Sequence, residues 1–82
     1  MIAGDFNLTP DAEGYRAMAE YFADANPWVQ DATFHGYGKA ERLIDYCFVG
    51  QGAAPCSYTV IKDTFDGKYP SDHYPILVEL RL

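Results

Sequence analysis

Apolar residues recur along this chain with two different periods, and the switches between them mark its elements. Met1-Ile2-Ala3-Gly4 is a short apolar run that reads as the inside of a strand. Tyr15, Met18, Ala19 and Phe22 then fall at i, i+3, i+4 and i+7, one stripe of a helix of about three turns. Thr9 can cap that helix, Pro10 suits its first turn because no amide donor is needed there, and Asp11 and Glu13 face the positive end of its dipole. Asn26-Pro27 ends it. From Leu43 to Val49 the period drops to two, with Ile44, Tyr46 and Phe48 on one face and Leu43, Asp45, Cys47 and Val49 on the other. Gly50 to Pro55 reads as a connection, Ser57 to Lys62 as a further strand, and Asp63 to Asp72 as a polar loop. Pro75 opens a last strand in which Ile76, Val78, Leu80 and Leu82 share a face.

Residues 28 to 42 alternate poorly and contain Gly36 and Gly38, which predicts a long loop with room for one short strand. Phe34 and Trp28 are expected as core or pocket wall, and His35 as a loop residue. There is no internal repeat, low-complexity tract or linker-like shift in composition. The pattern is that of one α+β unit, mainly antiparallel sheet with one helix packed on it.

At 82 residues the chain has room for one small domain. A composition 49% hydrophobic and 22% charged excludes a disordered tail. Six Lys and Arg against twelve Asp and Glu leave a net charge of -6, which excludes holding a polyanion by charge alone. A phosphate-bearing ligand would need a bridging metal ion. Cys47 and Cys56 are too few for a disulfide scaffold and lack zinc-site spacing, so free thiols are expected, with a single disulfide as the alternative. Residues 1 to 20 show no basic start followed by an apolar run, and the compartment stays open.

Three segments hold acidic or imidazole groups where pattern alone would not put them: Gly4-Asp5-Phe6-Asn7, Leu43-Ile44-Asp45-Tyr46 and Ser71-Asp72-His73-Tyr74-Pro75. Taken singly, Asp5 and Asn7 also read as a polar turn before the helix, Asp72 as a turn cap beside Ser71, and His73 as a surface residue. Asp45 is more telling, because a charge in the middle of a strand needs a partner. Arg42 is one candidate for that partner. Tyr69 and Tyr74 flank the third segment and could line a pocket, while Lys68 and Arg42 are the nearby cations for phosphate contact.

In this order, each beside a strand, the three motifs resemble the endonuclease/exonuclease/phosphatase superfamily of metal-dependent phosphoesterases. The resemblance runs from the first residues to the last and covers the C-terminal half of that domain, an α/β/β/α four-layer sandwich built from two similar halves. It implies that Asp5 orients or deprotonates the attacking water and Asn7 donates to the phosphate in the transition state. Asp72 would ligate or support Mg²⁺ or Mn²⁺, with Asp5 and Asn7 also beside the metal. His73 would contact the scissile phosphate with Asp45 fixing its ring. Arg42, Tyr69 and Tyr74 are candidate substrate contacts. The substrate is a phosphate ester of undetermined kind, and neither nucleic acid nor membrane is singled out.

The resemblance further implies that a principal metal-binding glutamate lies in the first half of the domain, so that residues 1 to 82 are a fragment, inactive in isolation. Tyr46, Phe48 and Leu77 are expected on a sheet face that the missing half would cover. In its absence that face is expected to pair with a second copy in a homodimer. The alternative is a non-catalytic, self-associating module derived from the same fold.

Overall fold

A computed structural model of the chain describes residues 1–26 and 31–81. In chain order it contains β1 (Ile2–Asp5), α1 (Glu13–Tyr21), β2 (Ala23–Asp24), β3 (Asp45–Val49), β4 (Ala54–Val60) and β5 (Ile76–Arg81). Among the described residues this is a small α+β fold with one helix and antiparallel strand pairs. No helix among the described residues is long and apolar enough to cross a membrane.

β3 is the centre of the fold because four of its five residues, Tyr46 to Val49, are buried. It takes β1 on one side, with Ile2 opposite Phe48 and Asp5 opposite Asp45, and β2 on the other, with Ala23 opposite Val49. Alternation along β3 then fills two cores. Tyr46 and Phe48 point to the helix side, where Phe6, Leu8, Tyr15, Met18 and Phe22 close over them and over Leu43. Cys47 and Val49 point the other way and, with Ala25, meet Tyr58, Ile76, Val78 and Leu80 of the separate β4–β5 hairpin. The molecule is thus layered as helix, three-stranded sheet and two-stranded sheet. Both cysteines are free thiols, Cys47 buried and Cys56 exposed.

The helix-side core is mostly aromatic. Tyr46 and Phe48 are fully buried, and their rings lie 5.2 to 5.8 Å from those of Phe6 and Tyr15. The Tyr46 hydroxyl sits 2.8 Å from the Leu8 carbonyl and 3.0 Å from that of Leu43, sharing its proton between them. Burial raises the pKa of Tyr46, and that of Tyr15, whose hydroxyl donates to Asp24. A Cβ at Gly14, in the first helical turn, would lie 2.9 Å from a terminal methyl of Leu8, so a side chain there would make Leu8 shift.

Several sequence expectations require correction. The helix begins at Glu13, not beside Thr9: its cap position is Ala12, with no side-chain cap bond. Thr9 instead closes a turn, its carbonyl accepting from the Ala12 amide and its hydroxyl bonding to the Asp11 carboxylate. The helix also stops early, because Phe22 turns to extended geometry (φ −133°, ψ 149°) and the next two residues pair with β3. Phe22 still packs where the helical stripe would place it. Pro27 and Trp28, expected at the helix end and in the core, lie outside the described residues, as does Leu82. The ladder of β3 starts at Asp45, and Leu43 joins the helix-side core rather than the face of Cys47. The cause is that the amides of Ile44 and Asp45 both donate to the Thr33 hydroxyl, whereas a regular strand aims consecutive amides in opposite directions. β4 begins at Ala54, inside the expected connection, with a register shift between Pro55 and Ser57.

The expected open sheet face is corrected too. Tyr46 and Phe48 are covered by the chain's own helix, and the opposite face of β3 by the hairpin. On the outer face of that hairpin Leu77, half exposed, has Thr59 opposite it and Ser57 and Glu79 beside that pair, which leaves no wide apolar patch there among the described residues.

Candidate functional site

Asp5 ends β1 and Asp45 begins β3, and as direct partners in the ladder they project to the same side of the sheet. Two carboxylates so placed repel unless a cation or proton donor lies between them. His73 fills that place: its Nδ1 is 2.7 Å from Asp45 Oδ2 and its Nε2 is 3.7 Å from Asp5 Oδ2. Ligand-type atoms of these three residues all lie within 4.8 Å of one another. The imidazole is held above its ordinary pKa, first by the hydrogen bond to Asp45, against some desolvation, and further by the charges of Asp45, Asp5 and Asp72. The partner that Asp45 required is therefore His73.

Long-range backbone bonds place this ring. Thr33 and Phe34 form a crossbar: both amides donate to the Arg42 carbonyl, the Arg42 amide returns a bond to Phe34, and the Tyr74 amide donates to the Thr33 carbonyl. Phe34 bridges Arg42 and His73 in antiparallel fashion, and its ring stands edge-on to that of His73 at 4.9 Å. The Ser71 hydroxyl accepts the His73 amide at 3.1 Å. On the other side, Gly4 adopts φ +152°, a region closed to residues with a Cβ, immediately before Asp5. Asn7, at φ +53°, donates its amide to Asp5 Oδ1 at 2.9 Å, so the Asp5 carboxylate is oriented by its own turn.

Asp5, Asp45 and His73 are brought together, and Asn7 lies exposed on the turn that orients Asp5. Asp72 does not join the group: its carboxylate is 3.5 Å from the Ser71 hydroxyl, and its carbonyl accepts the amides of His35 and Gly36. Arg42 is exposed, its backbone engaged by the crossbar. A cavity of about 390 Å³ opens beside Asp45 and His73, lined also by Ala3, Gly4, Ser71, Tyr74 and Ile76. Tyr74 thus lines the cavity, while Tyr69 lines a second one. Tyr74 has its pKa raised, first by a hydrogen bond with Tyr69.

For a hard divalent cation the donor chemistry fits in part. Asp45 and His73 are engaged with each other through Nδ1, whereas the exposed Asp5 carboxylate and the neighbouring Asn7 amide oxygen are the kind of ligand Mg²⁺ or Mn²⁺ takes. Chemically the arrangement offers a carboxylate that can accept a proton from water, beside an imidazole whose protonated form Asp45 favours and which can donate to a developing oxyanion.

Two residues that matter here were not legible in the sequence. Thr33 is fully buried and organises the start of β3 and the His73 segment, yet it sits in a stretch without clear alternation. His35, expected as a loop residue, is 3% exposed and its ring packs against Tyr37, Tyr69 and Tyr74. The available signal was the adjoining Gly36 and Gly38, which mark a tight turn.

Comparison with protein families matches residues 1–73 to the model described as "Endonuclease/Exonuclease/phosphatase family". No curated protein and no solved structure matches the chain.

Proposed function

The chain belongs to the endonuclease/exonuclease/phosphatase family, and from that membership and the geometry of the site we propose that it forms the Asp5–Asp45–His73 side of the catalytic centre of a Mg²⁺- or Mn²⁺-dependent phosphoesterase. The observation that carries this reading is the imidazole held between two carboxylates at the mouth of a cavity. A structural ion pair would need one carboxylate.

In this reading Asp45 keeps the proton on Nδ1 and favours the imidazolium, leaving Nε2–H to donate to a non-bridging oxygen of the phosphate. Asp5, held by the Asn7 amide, orients the attacking water and accepts its proton, while the Asn7 carboxamide donates to another phosphate oxygen. Asp5 and Asn7, and Asp72 if its side chain turns from Ser71, are the residues that would hold the metal. When bound, it would neutralise charge on the transferring phosphoryl group. The three layers of this chain correspond in the same reading to part of the α/β/β/α sandwich, with the remaining layer and a further metal carboxylate contributed by the other half of the domain. Residues 1–82 alone would then be inactive, since Mg²⁺ is bound weakly without a near-octahedral set of ligands.

The test is hydrolysis of a phosphodiester and a phosphomonoester panel by the protein that carries this domain, with and without Mg²⁺ or Mn²⁺. Divalent-dependent turnover that falls at least about a hundredfold in folded His73→Ala supports the reading. Equal rates in the folded variant would overturn it.

A further inference from the structure

A second cavity, of about 450 Å³, is lined by Tyr37, Gly38, Gly67, Lys68 and Tyr69. Two tight turns build its walls. In the first, the His35 carbonyl accepts the amides of Gly38, Lys39 and Ala40 at 3.0 Å each, and His35 Nδ1 accepts the amide of Tyr37 at 3.0 Å. Gly36, Tyr37 and Gly38 all have positive φ (55°, 56° and 89°), which costs the two glycines nothing but strains the tyrosine. The ring so placed is 63% exposed and touches the edge of His35. In the second turn Asp66 and Gly67 are both left-handed, and Phe65 and Lys68 exchange backbone bonds across them, the pattern of a type I′ turn. The backbone of this turn brings Lys68 to the cavity wall.

His35 links the walls. Its ring lies 4.4 Å from Tyr69 and 4.5 Å from Tyr74. Because Nδ1 accepts a hydrogen bond, the ring carries its proton on Nε2, and that buried group has no partner among the described residues. An unpaired buried donor is unfavourable and calls for a reason. Here the ring sets the two tyrosines relative to each other. Tyr69 lines the second cavity and Tyr74 the first, with their rings 5.5 Å apart, so the cavities adjoin across this pair.

We propose that the second cavity is a subsite for the flat heteroaromatic ring of a mononucleotide-type phosphate ester, an assignment that rests on the phosphoesterase reading for the position of the phosphate. Tyr37 and Tyr69 supply stacking surfaces, and Gly38 and Gly67 let a flat ligand approach the backbone. Lys68 opposes a quaternary ammonium headgroup, which an aromatic site without a cation would attract. A polyhydroxylated ring needs several hydrogen-bonding partners, and this lining provides two phenols and one ammonium. With a net charge of -6 on the chain, a single nucleotide suits it better than a polyanionic strand.

The experiment titrates the full chain with adenosine 5′-monophosphate, ribose 5-phosphate, inorganic phosphate, phosphocholine and inositol 1-phosphate while following tyrosine and histidine ring signals by NMR. The proposal expects adenosine 5′-monophosphate to move the Tyr37 and Tyr69 ring protons upfield and ribose 5-phosphate to leave them in place. Tyr37→Leu should weaken the nucleotide at least about fivefold, while Tyr37→Phe retains it. Equal binding of the nucleotide and ribose 5-phosphate, an unaffected Tyr37→Leu, or larger ring shifts with phosphocholine or inositol 1-phosphate would overturn it. If inorganic phosphate moves His73 but the nucleotide leaves Tyr37 unmoved, the subsite fails and the phosphoesterase reading stands. If the nucleotide moves Tyr37 and no phosphate moves His73, the ring site stands and the placement of the phosphate fails.

Discussion

Replacing Asp45 by Asn keeps the shape of the side chain and removes the charge that His73 faces at 2.7 Å. A hydrogen bond to a charged group contributes about 1.5–3 kcal/mol, against about 0.5–1.5 kcal/mol for a neutral one. His73 and Asp45 keep 28% and 14% of their side-chain surface, so solvent screening holds the difference to the lower end, about 1 kcal/mol. The folded pKa of His73 lies above its ordinary 6.5. The stability tied to its proton is therefore fully present below the unfolded pKa and is lost as pH rises through the folded one. Asp45→Asn should accordingly cost about 1 kcal/mol at about pH 5.5, roughly 4–8 °C in Tm for a domain of this size, and progressively less toward about pH 9. Urea unfolding followed by far-UV circular dichroism across that range measures the loss, and an NMR titration of the His73 ring should show its pKa lowered in the variant. A loss that does not change with pH, or a His73 titration that Asp45→Asn leaves in place, would refute the argument.

Thr33→Val should destabilise by at least about 2 kcal/mol, since it strips the acceptor from the buried Ile44 and part-buried Asp45 amides; a variant of unchanged thermal midpoint would count against the crossbar. Tyr46→Phe should cost about 1–2 kcal/mol in chemical denaturation, because the carbonyls of Leu8 and Leu43 lose their shared donor within a packed aromatic core. In the protein that carries this domain, chelation of divalent ions should abolish phosphoester turnover yet leave the far-UV spectrum unchanged, because neither core contains a carboxylate. Activity that persists in chelator would contradict the metal requirement.

The sequence by itself determined the elements whose period is strong and the residues whose chemistry conflicts with their position. Alternation in Cys47, Phe48 and Val49 required two opposite faces, and the β5 pattern put Ile76, Val78 and Leu80 together on one side. Asp45, a charge in an apolar strand, announced a partner, which the family resemblance named as His73 and the structure places at 2.7 Å. Only the tertiary structure decided which layer each face meets. An alternating strand specifies that it has two sides, not whether helix or hairpin covers either one, so Tyr46 and Phe48 could be read as open when the helix closes over them. Thr33 and His35 were invisible for a related reason. Their roles rest on backbone amides and aromatic rings that approach from residues 37 to 45 and 69 to 74, and no local period records a contact that exists once the chain has returned. Adjacency in sequence lets Asp72 and His73 point apart, but only the fold decided that the Asp72 carboxylate meets Ser71 while the His73 ring meets Asp45.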